Sequence, residues 1–140
     1  SDGDVAGSIY AARPGTGVDI LAGVGGTPEG IITACAMKAL GGAVQGTLWP
    51  TDDEERQKAV DAGLDVDAIL TTDDLVKGDD CFFVATGITD GELMRGVRYG
   101  SGSAITESLV MRSRSGTYRK IISEHRMEKL RAYASIDYES

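Results

Sequence analysis

Gly25-Gly26-Thr27-Pro28-Glu29-Gly30 lies between the apolar run Val18–Val24 and the helically spaced segment Ile31–Leu40. Its reading decides the fold. Apolar stretch, glycine-rich turn and amphipathic segment give the order strand, turn, helix. Such a turn points unpaired backbone N–H groups and the positive end of a helix dipole at an anion. A phosphate suits that position, yet Glu29 falls in the first helical turn, where a bare carboxylate would repel it. A divalent cation between the two removes the conflict. The local chemistry points to a metal-dependent site for a phosphorylated ligand.

Outward from this segment, Thr27 is placed to cap the helix, with Pro28 at its first position, where a missing N–H costs nothing. Ile31, Ala34 and Cys35 with Met37 or Lys38 recur at three- and four-residue steps, so one apolar face packs on a sheet. Gly41-Gly42 stops the helix. Ala43–Trp49 is expected as a second strand ended by Pro50. An acidic, exposed helix should run from Asp52 or Asp53 to about Ala62, and Thr71–Leu75 reads as a cap before a short helical turn. Cys81–Ala85 is a continuous apolar run, the pattern of a strand buried on both faces. Strand and helix by turns favour an α/β layer arrangement. Towards the end, Ser108–Arg114 and Thr117–Ser123 flank Ser115-Gly116 as a hairpin, and Glu124–Tyr133 looks helical. At the other end, Asp4 should cap a short helix that stops before the loop Arg13-Pro14-Gly15. With no repeat and no linker, residues 1–140 read as a single unit.

The 140 residues suffice to bury roughly two-thirds of the unfolded surface. A hydrophobic content of 41% is ordinary for a globular chain. No stretch approaches the ~20 apolar residues that cross a bilayer, and Ser1-Asp2-Gly3-Asp4 lacks the features of a signal peptide. A net charge of −8 argues against nucleic acid, whose binding rests on clustered Lys and Arg. Acidic residues concentrate between Asp52 and Asp80 and basic ones between Arg95 and Arg131; both read as solvated surface. Cys35 and Cys81 lie far apart in sequence, in apolar surroundings, and read as two reduced buried thiols.

Taken singly, the candidate residues divide between structure and chemistry. On spacing alone Glu29 serves equally well as a helix-dipole partner or as a metal ligand. Asp2 and Asp4 alone read as turn and cap residues. His125, the single histidine, sits among Glu124, Arg126 and Glu128 and reads as exposed and uninvolved. A Ser-His-Asp hydrolase is disfavoured further by the absence of a Gly-x-Ser-x-Gly elbow. Dinucleotide binding fails because Pro28 occupies the third glycine position, and a P-loop fails for want of Gly-Lys-Ser/Thr. Thr86 and Thr89 lie where α/β folds put functional loops but receive no role, and Arg13 reads as surface.

Asp2-Gly3-Asp4-Val5-Ala6-Gly7, Gly25–Gly30, Leu48-Trp49-Pro50, Ala85-Thr86-Gly87-Ile88-Thr89-Asp90-Gly91 and Leu109–Ser113 occur in this order at familiar intervals. Together they resemble the C-terminal portion of bacterial class II fructose-1,6-bisphosphatase, over essentially the whole chain. The resemblance implies the layered α/β fold of the lithium-sensitive sugar phosphatases, of which this is the C-terminal half. It implies hydrolysis of fructose 1,6-bisphosphate to fructose 6-phosphate in cytoplasmic gluconeogenesis, by a homo-oligomeric enzyme using Mg²⁺ or Mn²⁺. Matched position by position, Asp2, Gly3, Asp4 and Gly26 bind the sugar bisphosphate and Glu29 binds metal. No catalytic group is carried over. The other metal ligands belong to the family's N-terminal half, so the chain is expected to be a piece of a longer protein, inactive without that half as its partner. A sedoheptulose bisphosphatase activity and a non-catalytic sugar-phosphate-binding module are the alternatives.

Overall fold

The computed structural model describes residues 4–133. Asp2 and Gly3 therefore lie outside the described residues. Helix α1 (Asp4–Ala12) is followed by an irregular segment and by α2 (Thr27–Leu40). A short strand β1 (Gln45–Gly46), helix α3 (Asp53–Asp61), strand β2 (Leu70–Thr71) and the helical turn α4 (Thr72–Leu75) come next. Strands β3 (Phe82–Thr86), β4 (Arg98–Tyr99), β5 (Ser103–Arg112) and β6 (Thr117–Arg126) then lead to helix α5 (Met127–Tyr133). The fold is mixed α/β.

The sheet of β3–β6 is antiparallel throughout, with β5 at its centre. One edge of β5 takes β6 from Ser103↔Arg126 to Arg112↔Thr117; the other takes β3, then β4. The expected hairpin is present and longer than predicted: β6 continues through Arg126, so only Met127–Tyr133 of the segment read as helix is helical. Its turn closes by the Gly116 N–H donating to the Ser113 carbonyl at 3.2 Å, with Gly116 at φ 56°.

Helix α2 packs its small-residue side on one face of this sheet. Ala36 and Ala39 are buried, letting Met37 reach Phe83 of β3 and Met111 of β5. Ile9 of α1, fully buried, joins the same cluster from above. Alanine supplies helix propensity and close approach together. Gly41 ends α2 in the left-handed region at φ 74°, and the Gly42 N–H closes the end on the Met37 carbonyl at 2.9 Å. Arg13 carries α1 onto β6: its guanidinium donates to the Tyr118 hydroxyl at 3.1 Å and lies 4.6 Å from that ring's centroid. It is an anchor between layers, not only a surface charge.

Several expectations are corrected. Val18–Val24 is not a strand; it runs irregularly with Ile20 82% and Val24 74% exposed. A strand is fixed by a neighbour, and no described residue pairs with this segment. Of Ala43–Trp49 only Gln45–Gly46 pairs, with Leu70–Thr71. β3 is buried on one face: Phe83 is inside, while Phe82 and Val84 are more than half exposed on the other. An apolar run reports burial but cannot say that both faces are covered. The cap of α2 is Gly26 rather than Thr27, which is already helical. By contrast, α3 is capped by Asp52 accepting from the Glu55 N–H at 2.8 Å, and α4 opens on a capping box between Thr71 and Asp74, both as the sequence implies.

Glu107 has no counterpart in the sequence reading. It is buried on the sheet, takes the Lys120 ammonium at 2.8 Å and accepts from the Arg95 N–H at 3.1 Å. The Lys120 bond, then the Arg95 N–H, hold its carboxyl below the usual carboxylate range against the opposing effect of burial. Through Arg95 it pins the loop containing Thr89. Gly87 and Gly96 let that loop close on itself, since a Cβ at Gly96 would fall 2.6 Å from the Thr89 carbonyl carbon.

Candidate active-site cleft

A cleft of about 810 Å³ opens between α1, the irregular segment and α2, running from the start of α2 to Gly42–Gln45 beyond its end. Asp4 reaches it from the start of α1 and Glu29 from the first turn of α2. Gly23, Gly25 and Gly26 form its glycine-rich wall. Two carboxylates from separate segments thus share one cleft with the backbone turn that the sequence marked. Neither has an ion-pair partner among the described residues.

The glycines are required by close approach. A Cβ on Gly25 would lie 3.1 Å from Asp4 Oδ2, and one on Gly23 would lie 3.9 Å from Oδ1. The wall passes directly beside the Asp4 carboxylate. Gly26 has extended backbone (φ −67°, ψ 157°), open to any residue; there the constraint is space alone. A Cβ at Gly26 would overlap Glu29 Oε2 well inside van der Waals contact. The Glu29 carboxylate folds back over the helix start into the space the glycine leaves. The helix begins there with the Gly30 N–H donating to the Gly26 carbonyl at 3.0 Å, and no side chain caps the end.

The Asp4 main chain is steadied from within α1, where Ser8 Oγ donates to the Asp4 carbonyl at 2.7 Å. Asp19 also lines the cleft, as does buried Thr33. Neither belongs to a motif in the sequence. An acid inside the apolar run Val18–Val24 was the signal for Asp19; Thr33 had none. The carboxylates present are hard oxygen donors of the kind Mg²⁺ and Mn²⁺ take. They are a partial set: no group of three or more His, Cys, Asp or Glu gathers for a metal among the described residues.

The remaining candidates lie elsewhere. Thr86 Oγ1 and Ser108 Oγ share a cross-strand hydrogen bond at 2.9 Å, and Thr89 sits in the exposed loop that follows. His125 Nε2 lies 3.0 Å from Thr106 Oγ1 on the sheet and does not line the cleft. No helix among the described residues is long and apolar enough to cross a membrane.

The cleft thus brings Asp4, Asp19 and Glu29 together at a glycine-rich helix start on a mixed α/β scaffold. Residues 1–125 match the model of the family described as bacterial fructose-1,6-bisphosphatase, glpX-encoded, and the chain belongs to that family. It is 41% identical to a fructose-1,6-bisphosphatase class 2 of Haemophilus influenzae, over 92% of this chain and 43% of the relative. Two Synechococcus proteins, each named D-fructose 1,6-bisphosphatase class 2/sedoheptulose 1,7-bisphosphatase, are 39% identical over 89% of this chain and 40% of their own length. The chain thus spans less than half the length of these curated relatives.

Proposed function

We propose that this chain supplies the C-terminal, sugar- and metal-facing part of a phosphatase that hydrolyses fructose 1,6-bisphosphate to fructose 6-phosphate and phosphate. The observation that carries the reading is the meeting of Asp4, Glu29 and the Gly23–Gly26 wall in one cleft. Asp4, with Asp2 and Gly3, accepts hydrogen bonds from sugar hydroxyls, which need acceptors close to the chain. The Gly26 backbone lets the ligand approach where a side chain would block it. Glu29 would hold Mg²⁺ or Mn²⁺ through a carboxylate that folds back over Gly26. When bound, such a cation neutralises phosphoryl oxygens and lowers the pKa of a water. The N-terminus of α2 adds its dipole to the same end of the cleft.

Glu29 alone does not complete the near-octahedral setting that Mg²⁺ takes, even with Asp4 and Asp19 lining the same cleft, so the partner of this chain is the N-terminal half of the same enzyme. Residues 1–140 are then the C-terminal part of one lithium-sensitive-phosphatase-like domain, in a cytoplasmic, homo-oligomeric enzyme of gluconeogenesis. The paired names of the Synechococcus relatives favour sedoheptulose 1,7-bisphosphate as a second substrate.

The test measures phosphate release from both bisphosphates by the 140-residue chain alone and after addition of the family's N-terminal half, with Mg²⁺ or Mn²⁺ varied. Turnover is expected only in the complete assembly, and Glu29→Gln should weaken its metal dependence steeply. Binding without turnover in every assembly would replace the enzyme by a sugar-phosphate-binding module. An unchanged metal dependence in Glu29→Gln would return Glu29 to helix-dipole compensation.

A further inference from the structure

Cys35 and Cys81 are separated by 46 positions in sequence and meet in the fold. Cys35 lies on α2 and Cys81 immediately before β3. The Cys81 thiol donates to the Cys35 carbonyl at 3.7 Å, which brings its sulphur against that residue. Both are free and both are half-buried rather than sealed in the core, so a small reagent can reach them. Each stands on fixed backbone. The Cys81 N–H donates to Ser113 Oγ at 2.8 Å and its carbonyl accepts from the Ser113 N–H at 3.0 Å. One turn beyond Cys35, Lys38 bonds the Val76 carbonyl at 2.6 Å and Asp73 at 2.9 Å, tying α2 to the neighbouring chain.

We propose that Cys35 and Cys81 are a redox pair that closes to an intramolecular disulfide, cross-linking the helix of the candidate site to the sheet. With oxidised glutathione as the oxidant, the Cys81 thiolate attacks one glutathione sulphur and expels the other half as a thiolate. The Cys35 thiolate then attacks Cys81 Sγ in the mixed disulfide and expels the second. One S–S bond forms and one breaks; the protein loses two electrons and two protons, and the glutathione disulfide becomes two thiols. Burial, then the neighbouring Cys81 thiol, push the Cys35 thiol up, which makes it the weaker first attacker; the second step rests on its proximity to Cys81 in the mixed disulfide. The cross-link fixes α2, and with it Gly26 and Glu29 at its start, relative to β3.

The experiment treats the full 140-residue chain with oxidised glutathione, then maps thiols, intact mass and peptides, and follows thermal unfolding. Expected are loss of both thiols, a mass lower by two hydrogens, a linked Cys35–Cys81 peptide pair within one chain, and reversal by dithiothreitol. A bridge across this span should raise Tm by about 5–15 °C. Cys35→Ser and Cys81→Ser should each lose the rise; Cys81, at the margin of the sheet, is the safer of the two for folding. Two thiols persisting under conditions that oxidise the urea-unfolded chain would overturn the proposal. So would a stable glutathione adduct on the wild-type chain, or a bridge only between chains. None of these readouts uses phosphatase activity, so the pair and the function proposed above fail independently.

Discussion

Gly26→Ala separates the structural role of the cleft wall from its chemical role. The substitution adds one methyl group at a position whose backbone conformation alanine adopts without strain. Alanine is a poorer N-cap than glycine by up to about 1 kcal/mol, while the smaller entropy of its unfolded chain returns about 0.4–1 kcal/mol. Folding stability should therefore stay within about 1 kcal/mol of wild type, a change in Tm of no more than a few degrees. The new methyl, however, falls on Glu29 Oε2. That oxygen ends a flexible side chain, so it yields at little energetic cost by retreating roughly an ångström or changing rotamer. A displacement of about 1 Å in a catalytic setting costs on the order of a hundredfold in rate. In the complete assembly, turnover should fall by about that factor and the Mn²⁺ or Mg²⁺ requirement should rise, with the melting curve nearly unmoved. Calorimetric metal titration, phosphate release and thermal unfolding on the same preparation give all three numbers. Wild-type metal affinity and turnover in Gly26→Ala would refute the link between the glycine and the Glu29 carboxylate.

Asp4→Asn should raise KM about ten- to a hundredfold, as expected for a charged hydrogen bond of ~1.5–3 kcal/mol, and leave metal affinity nearly unchanged; wild-type KM would return Asp4 to a helix-terminal role. Met111→Ala removes a fully buried side chain from beneath α2 and should cost about 2–5 kcal/mol, read as a lower denaturation midpoint with unchanged slope; a loss below ~1 kcal/mol would show that the core does not depend on it. Glu107 has a depressed folded-state pKa, so its contribution is complete above the unfolded carboxylate value of ~4.3 and disappears as pH falls through the lower folded value. Comparing Tm of wild type and Glu107→Gln from neutral to acid pH should show the difference shrinking below about pH 4.3; a constant offset would contradict it.

The local pieces are legible in the order of residues alone. Pro28 near a helix start, Asp52 and Thr71 as caps, Gly41 as a stop and Ser115-Gly116 as a turn each act over three or four residues. Their physics is complete within the segment. The same is true of the Gly25–Gly30 run with Glu29, whose meaning as a helix-start site needs no distant residue. Tertiary structure alone decided what depends on a neighbour. Whether Val18–Val24 becomes a strand depends on a pairing neighbour, and none of the described residues pairs with it. Whether β3 is covered on one face or two depends on what packs against Phe82 and Val84. Cys35 and Cys81, or Glu107 and Lys120, become partners because α2 and β6 cross β3 and β5 in a particular register. Asp4 and Glu29 share a cleft for the same kind of reason, since Ile9 and Met37 lock α1 onto α2. Long-range placement follows from which apolar faces bury each other, a choice that hydrophobic spacing along one segment permits but does not make.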